Sequence, residues 1–344
     1  MTAANNSQFP PRQVGDHVWK GSQERDCPQW RWQLTNNEVA ELISAAERYV
    51  DGSEADIESI LAGPFPLPTL GPKLLALRKR LTHGRGFELI SGFPVAETSQ
   101  ALCSAVFTGL GTHLGAARPQ NAAGDLLGHV RNVGMDPSDP DVRIYQTNAR
   151  QTFHTDSADV VGLMCLETAA QGGDSMICSA ATIYNIMLDQ DPLLAHELFK
   201  PVATDRRGEI PPGADPYFTI PVLNWFDNAL TVKYQRQYIE SAQRLSDAPP
   251  LTASYVRALD LFDEIANDPD VHLRMTLEPG DMQFVHNHSN LHDRTSFVDK
   301  PGSPRHLLRL WLSVLGDRQL PAVFAQRFGS IEVGARGGIT VATN

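Results

Sequence analysis

The sequence predicts one mainly β domain, a barrel or sandwich, with helices packed on its outside. Six stretches after about residue 115 have the length and composition of short strands, and Gly, Pro and Asn separate them. Helical spacing of apolar residues is concentrated before that point. No repeat, low-complexity segment or linker divides the 344 residues. We therefore expect a single domain over 1–344, with a helical part at about 30–115, a β core at about 85–320 and a helical insert at about 250–268.

The N-terminal third contains the predicted helices, at residues 34–50, 70–86 and 100–115. Asn36 or Asn37 is the expected N-cap of the first, and Gly84 or Gly86 is expected to close the second. The stretch Phe87–Pro94 alternates and then turns, which predicts a strand. The later strands are predicted at residues 143–147, 161–167, 174–180, 230–235, 273–287 and 306–313.

Composition restricts the class of protein. The net charge of −11 argues against a general nucleic-acid binder, whose affinity depends on Lys and Arg. No apolar run approaches the roughly 20 residues that span a bilayer, and the N-terminus lacks the apolar core of a signal peptide. The four cysteines have neither close pairing nor zinc-type spacing. We therefore expect a cytoplasmic protein with reduced thiols, no membrane segment and no nucleic-acid partner.

The run QTFHTDSADV, Gln151–Val160, places His154 and Asp156 two residues apart in a predicted strand. Residues i and i+2 of a strand point to the same side, so the imidazole and the carboxylate project together. The pair is either an ordinary polar face or half of a metal site.

A second polar segment contains three more candidate histidines, His286, His288 and His292, followed by an apolar strand with Arg305 and Arg309. Two imidazoles and one carboxylate on one face of a metal leave the other face open, the pattern of non-heme iron(II) oxygenases. The open positions suit a 2-oxo acid and dioxygen, and an Arg fork matches the far carboxylate of 2-oxoglutarate. Spacing alone does not choose among the three histidines.

The sequence resembles the taurine dioxygenase and clavaminate synthase-like family of iron(II)/2-oxoglutarate oxygenases. The motifs, in order, are GRGFELISGFP, FHTDSADVVGLMCL, GGDS, GDMQFVHNHSNLHDRTSF and RHLLRLWL. Over most of the chain the resemblance implies a double-stranded β-helix, or jelly roll, as the β core. It also implies Fe(II), 2-oxoglutarate and O2 as the cofactor and cosubstrates.

The resemblance implies His154, Asp156 and His292 as iron ligands, because the family has an Asn five residues before its last ligand, as Asn287 stands before His292. His286 and His288 are then expected beside the site or at the surface. Ser175 and Arg305 match the residues that hold 2-oxoglutarate.

For the substrate, the resemblance points to Arg309, which in relatives often meets an anionic group such as a carboxylate or sulfonate. Substrate contacts are also expected from Tyr145, Asn148 and Arg131, whereas Trp311 is expected in the core. The RGGI segment, residues 336–339, resembles a tail segment of relatives and has no assigned role.

The expected activity is oxidation of an unactivated C–H bond of a small organic molecule, most simply hydroxylation, with 2-oxoglutarate converted to succinate and CO2. The substrate itself is not specified by the motifs, and desaturation, cyclisation or epoxidation stay open. Relatives also imply a homo-oligomer. Two alternatives remain at this point: a cupin-type metal enzyme that does not use 2-oxoglutarate, and a non-catalytic ligand-binding relative.

Overall fold

The structure is a computed structural model that describes residues 9–26, 29–136 and 142–339. The bounds of its helices follow the spacing of apolar residues and the positions of capping residues in the sequence. They are α1 (Gly21–Asp26), α2 (Asn36–Glu47), α3 (Ile57–Ala62), α4 (Gly71–His83), α5 (Gln100–Leu114), α6 (Ala180–Gln190), α7 (Pro192–Glu197), α8 (Arg236–Ala242), α9 (Ala253–Asn267) and α10 (Ala325–Phe328). Within the described residues, no helix combines the length and the apolar character needed to cross a bilayer.

The strands are short. They are β1 (Arg31–Gln33), β2 (Val50–Asp51), β3 (Glu54–Ala55), β4 (Phe87–Ser91), β5 (Ala116–Ala117), β6 (Leu127–Val130), β7 (Gln151–His154), β8 (Val160–Glu167), β9 (Gln171–Gly172), β10 (Ser175–Ser179), β11 (Ala203–Asp205), β12 (Tyr217–Thr219), β13 (Leu223–Phe226), β14 (Ala229–Val232), β15 (Leu273–Met275), β16 (Met282–His286), β17 (Asn290–Arg294), β18 (Phe297–Val298) and β19 (His306–Ser313).

Two sheets form the centre of the molecule. The larger has the order β1-β4-β16-β8-β19-β5, with β6 also paired to β19, and the smaller has the order β15-β10-β17-β7. Apolar side chains from both sheets share one cluster, so the sheets face each other. The predicted sandwich of short strands is confirmed.

Strict alternation along β19 shows how the sequence builds this arrangement. Leu307 and Trp311 belong to the cluster between the sheets, whereas Leu308, Leu310 and Leu312 belong to the cluster that packs against the N-terminal helices. A period of two places Arg309 on the inner face, between Leu307 and Trp311. A buried strand therefore carries one arginine into the interior.

Helices cover the outer face of each sheet. Apolar residues of α2, α4 and α5 pack on the larger sheet, and those of α6, α7 and α9 pack on the smaller one. The sandwich is consequently closed on both outer faces, and polar side chains on its inner faces are removed from bulk water.

Two local predictions are wrong. Residues 143–147 are not a strand but a 3-10 turn at Ile144–Gln146, because the backbone N–H and the Oγ1 of Thr147 both donate to the carbonyl of Ile144, at 3.0 and 2.9 Å. The N-cap of α2 is Thr35, not Asn36 or Asn37. Its Oγ1 accepts from the Glu38 N–H at 3.3 Å, and a Glu38 carboxylate oxygen accepts from the Thr35 N–H at 2.8 Å, a capping box.

Candidate metal centre and active site

Three potential metal donors converge at the edge of the smaller sheet. β7 ends at His154, Asp156 follows two residues later, and β17 carries His292 directly opposite His154 in the antiparallel register. The Nε2 atoms of His154 and His292 lie 4.0 and 3.7 Å from the two carboxylate oxygens of Asp156. All three donors lie within 4.8 Å of one another, and all three side chains are at most 11% exposed.

The two imidazoles are neutral, the form in which histidine binds a metal. The Nδ1–H of His154 donates to the carbonyl of Thr152 at 2.8 Å, which leaves the lone pair on Nε2. An amide N–H of Gln151 points to that lone pair at 2.9 Å. Burial lowers the pKa of His154, and burial together with His154 lowers the pKa of His292 to about 3, so both rings are neutral at pH 7.

Asp156 is held as a carboxylate. Burial favours the neutral acid, but Arg309 and the two neighbouring histidines outweigh it and lower the pKa of Asp156 to about 2. Trp311 Nε1 donates to Asp156 Oδ2 at 2.8 Å, and the Asp156 backbone N–H donates to the Asn287 side chain at 3.0 Å. Two neutral imidazoles and one oriented carboxylate are the donor set of a non-heme iron(II) centre, so these residues fit that metal.

His286 and His288 belong to a different cluster, which we call the interior ion network. His286 Nε2 lies 3.1 Å from Asp317, and His288 Nε2 lies 2.8 Å from Asp159. Arg336 joins the two pairs, with distances of 2.7 Å to Asp159 and 3.0 Å to Asp317. Both histidines are buried, so a surface position for them was wrong, and the tail segment 336–339 supplies the network's arginine.

Two neighbouring compartments lie beside the donors, one lined by all three of them and the other by His154 and Asp156, with about 510 and 600 Å³ of empty space that includes the open solvent at their mouths. They share Tyr145, Gln151, His154, Asp156 and Arg309. The inner compartment lies between the sheets, and its further lining includes Val161, Leu163, Ser175, Arg294, Arg305 and Leu307. The lining of the outer compartment includes Arg143, Thr204, Phe218, Lys233, Tyr238 and Arg327.

Arg305 is the principal cation of the inner compartment. Its Nη2 donates to the Gly173 carbonyl at 3.3 Å, whereas its buried Nη1 has no hydrogen-bond partner among the described residues. Gly173 has φ +78°, and a Cβ there would lie 2.8 Å from Arg305 Nε, so the Gly-Gly-Asp turn makes room for the guanidinium. Ser175 Oγ lines the same space and donates to Gln283 at 3.0 Å.

Arg309 stands at the junction of the compartments. Its guanidinium lies over the ring of Tyr145 at 4.4 Å, and its Nε donates to the Gln120 side chain at 2.6 Å. No carboxylate of the described residues lies within 4.0 Å of it. Arg309 is therefore a fixed cation beside the donors, available to an anionic ligand.

Comparison with known proteins identifies the family. The model of the taurine catabolism dioxygenase TauD, TfdA family matches residues 52–311. The chain belongs to this family. It is 34% identical over 315 residues to FR-33289 synthase of Streptomyces rubellomurinus, covering 90% of this chain and 92% of the relative. It is 30% identical to the taurine hydroxylase-like protein SAT17 of Stachybotrys chartarum, covering 85% of this chain and 77% of the relative.

A solved structure of asparagine oxygenase with Fe(II), (2S,3S)-3-hydroxyasparagine and succinate shares the fold, with a TM-score of 0.64 at 18% identity, over 86% of this chain and 98% of that one. The predicted double-stranded β-helix is thereby confirmed. TauD/TfdA enzymes are oxygenases that use Fe(II), 2-oxoglutarate and O2, and this chain is one of them. The alternatives without 2-oxoglutarate or without catalysis are set aside.

Two expected substrate contacts of this TauD/TfdA enzyme lie elsewhere. Arg131 is exposed and lines neither compartment, because Val130 faces inward and the next residue faces outward. Asn148 is also exposed, since the turn at Ile144–Gln146 directs Tyr145 into the pocket and carries the chain outward afterwards. Neither residue lines either compartment, and their contact with a substrate stays a prediction.

Two cations that line the TauD/TfdA pocket, Arg294 and Lys233, were not predicted from the sequence. Arg294 lies on the same strand face as His292, two residues on, and its buried Nε and Nη1 have no partner among the described residues. Its guanidinium lies over Phe297 at 4.8 Å, and that of Arg305 lies over the same ring at 5.2 Å. The i, i+2 spacing from His292 is the signal that could have identified it. Lys233, contributed by the loop after β14, had no such signal.

Proposed function

We propose that His154, Asp156 and His292 bind the Fe(II) of this oxygenase, and that the outer compartment presents a small organic substrate to it. The bound iron, with 2-oxoglutarate and O2, supplies the oxidation of the substrate C–H bond, with succinate and CO2 as co-products. The convergence of two neutral imidazoles and a carboxylate beside an open pocket carries this proposal. The product we expect is an alcohol.

Residues of the chain orient the proposed metal ligands, keep water away from them and balance charge in the pocket. The Thr152 carbonyl fixes the tautomer of His154, and Trp311 fixes one oxygen of Asp156. Apolar side chains of the inner compartment, including Val161 and Leu163, keep water away from the donors. Gln151 must release His154 Nε2 for the metal, and its amide is then free to bond a ligand in the pocket.

Arg305 and Ser175 are proposed to bind the far carboxylate of 2-oxoglutarate, and we add Arg294 to them. Partnerless buried donors on both arginines support this, because a buried guanidinium without an acceptor is costly until an anion arrives. Burial lowers the pKa of Arg305 to about 10 and, together with the repulsion from Arg305, that of Arg294 to about 9. A dicarboxylate relieves that repulsion.

The test is calorimetric binding of 2-oxoglutarate to the anaerobic Fe(II) protein. Arg294→Met and Arg305→Met should each weaken binding about 10- to 100-fold, the value of a charged hydrogen bond. Binding of 2-oxobutanoate, which lacks the far carboxylate, should change less than about threefold. Arg274→Met is the control, since Arg274 is an exposed partner of Asp174. Equal losses for both oxo acids would contradict the assignment.

For the substrate, we propose an anionic group held near Tyr145 and Arg309. The name of one relative contains taurine, a sulfonate, and the cationic lining of this pocket is consistent with an oxyanion in general. We further propose that residues 1–344 act as one domain in a cytoplasmic homo-oligomer. Its described cysteines, Cys103, Cys165 and Cys178, are buried thiols, whereas Cys27 lies outside the described residues.

A further inference from the structure

The tail segment 336–339 lies between two loops that border the active site. We infer that these four residues, which we call the C-terminal strap, position the metal ligand Asp156 by holding Ser157, the residue that follows it. The inference rests on the proposed function, because it takes Asp156 as an iron ligand. It assigns a task in metal binding to a segment that supplies no metal donor and lines neither compartment.

The strap contacts the metal-ligand loop at Ser157, which is buried. The Gly338 N–H donates to the Ser157 carbonyl at 2.7 Å. Arg327, which precedes the strap in the chain, donates from its Nε to Ser157 Oγ at 3.0 Å. The carbonyl and the hydroxyl of the residue after Asp156 are therefore both bonded to the C-terminal part of the chain.

On its other side the strap is bonded to the loop between β5 and β6. The Ile339 N–H donates to the Pro119 carbonyl at 2.8 Å. That loop is itself fixed to β19, because Gln120 accepts from Arg309 Nε at 2.6 Å and donates to the Arg309 carbonyl at 2.8 Å. Hydrogen bonds therefore connect β19, through this loop and the strap, to Ser157.

The side chain of Ile339 adds an apolar anchor. It is buried in the cluster between the two sheets, which also contains Ala158 and Trp311. Burial of an aliphatic side chain of this size stabilises its position relative to an exposed one. The strap is thus held by its backbone and by its last side chain, so it can support the loop that it contacts.

Two consecutive glycines allow the strap to approach both loops closely. Gly337 and Gly338 have φ of +80° and +86°, in the left-handed region that other residues rarely adopt. A Cβ on Gly337 would lie 2.7 Å from the Ser157 carbonyl oxygen, and one on Gly338 would lie 2.9 Å from the Pro119 carbonyl oxygen. Because both obstacles are backbone atoms, a methyl group at either position must displace the strap or the loop.

The side chain of Arg336 has a separate task. It pairs with Asp159 and Asp317 in the interior ion network. The hydrogen bonds of residues 337–339 do not involve its guanidinium, so they remain when that group is removed. Arg336→Met should therefore lower the stability of the protein and leave its Fe(II) affinity unchanged, which makes it a control for stability loss.

The experiment is an anaerobic calorimetric titration of the full chain with Fe(II), with thermal unfolding of the same samples. Gly337→Ala and Gly338→Ala should each weaken Fe(II) binding about tenfold, the effect of losing a residue that supports a metal ligand. Gly316→Ala is the control for backbone strain, since Gly316 has φ +82° and a Cβ there would meet open space among the described residues. Its Fe(II) affinity should equal that of the wild type.

A milder variant tests the strap without a steric clash. Arg118→Met removes the hydrogen bond from Arg118 Nε to the Gly337 carbonyl, 3.0 Å long and partly buried, so it should fold. It should weaken Fe(II) binding about threefold, near the low end for one hydrogen bond.

Binding of 2-oxoglutarate to the iron-saturated variants separates positioning from damage to the fold. Its affinity should stay at the wild-type value, because Arg305 and Ser175 are not bonded to the strap. A partly unfolded sample would instead show a lower stoichiometry for both Fe(II) and 2-oxoglutarate.

The inference is overturned if Gly337→Ala and Gly338→Ala bind Fe(II) like the wild type, or if Gly316→Ala loses as much affinity as they do. If both glycine variants fail to fold, Arg118→Met decides, and wild-type Fe(II) affinity in that variant overturns the inference. Failure of the wild-type protein to bind Fe(II) is a different result, which would remove the proposed function itself.

Discussion

Two His/Asp clusters lie in the part of the chain that the structure describes, and they have opposite properties. His154, Asp156 and His292 form one, and Asp159, His288 and Asp317 lie at the centre of the other, the interior ion network. In each cluster the donor atoms lie within 4.8 Å of one another, so distance alone makes both candidate metal sites. What surrounds the donors separates them.

In the interior ion network an arginine occupies the place where a cation would be needed. Arg336 donates to both carboxylates and is itself fully buried, and Ser313 and the Val314 N–H donate to the other oxygen of Asp159. In the metal cluster, by contrast, the acceptors face a pocket, and the sole side-chain donor at His154 Nε2 among the described residues is the Gln151 amide. A metal site is thus recognised by converging acceptors that the protein leaves without a cation.

The sharpest test of this comparison is removal of one histidine from each cluster. His292→Ala should abolish stoichiometric Fe(II) binding, with at least about a 100-fold loss of Fe(II) affinity and of succinate formation. Loss of a metal ligand weakens metal binding more than loss of a residue that only hydrogen-bonds to a ligand. His288→Ala should keep iron affinity within about threefold and lower stability instead. Anaerobic Fe(II) titration and thermal unfolding measure both quantities.

Chelation provides the matching control. Removal of iron should lower the melting temperature of the wild type by a few degrees, because bound metal stabilises the folded state by mass action. It should leave His292→Ala unchanged. Iron retained by His292→Ala and lost by His288→Ala would reverse the assignment of the two clusters.

The next largest effect is expected from Arg336→Met, which tests the interior ion network. The substitution removes the guanidinium that donates to both buried carboxylates, Asp159 and Asp317, and it should cost about 3–5 kcal/mol of unfolding free energy. Urea unfolding of the metal-free protein measures the loss.

Arg12→Met is the comparison for that measurement, since it breaks an exposed pair and should stay within about 0.5 kcal/mol. Fe(II) affinity of folded Arg336→Met should be unchanged. If the unfolding free energy of Arg336→Met fell by less than about 1 kcal/mol, groups other than Arg336 would balance the charge of the two buried carboxylates.

The sequence was sufficient for features that depend on local period. The i, i+2 spacing placed His154 beside Asp156, and alternation along β19 placed Arg309 inside. It was insufficient where residues far apart in the chain meet. Only the register of β17 on β7 shows that His292, rather than His286, stands opposite His154.

Some elements were missed for a different reason. Helix α6 was not predicted, because its short apolar run is nearly all buried and therefore lacks a polar stripe. The 3-10 turn at Ile144–Gln146 was taken for a strand because its β-branched and aromatic composition fits both. Trp311 was assigned to the core, which is where it lies, but composition could not show that its N–H reaches Asp156.

Loss of the hydrogen bond from Trp311 to Asp156 should have the smallest effect of these substitutions. It distinguishes a packing role of Trp311 from a role in metal binding. Trp311→Phe keeps most of the buried ring and removes the donor to Asp156 Oδ2, so Fe(II) affinity should fall about tenfold, at the low end for an outer-shell partner. Trp30→Phe is the matched control, since Trp30 Nε1 donates to the Glu24 carbonyl at 2.9 Å, apart from the metal donors. Both variants lose one indole N–H and a similar ring volume, so their unfolding free energies should fall by similar amounts. Equal iron affinities for the two would show that Trp311 acts only through packing, and that Asp156 is oriented by its backbone bond to Asn287 alone.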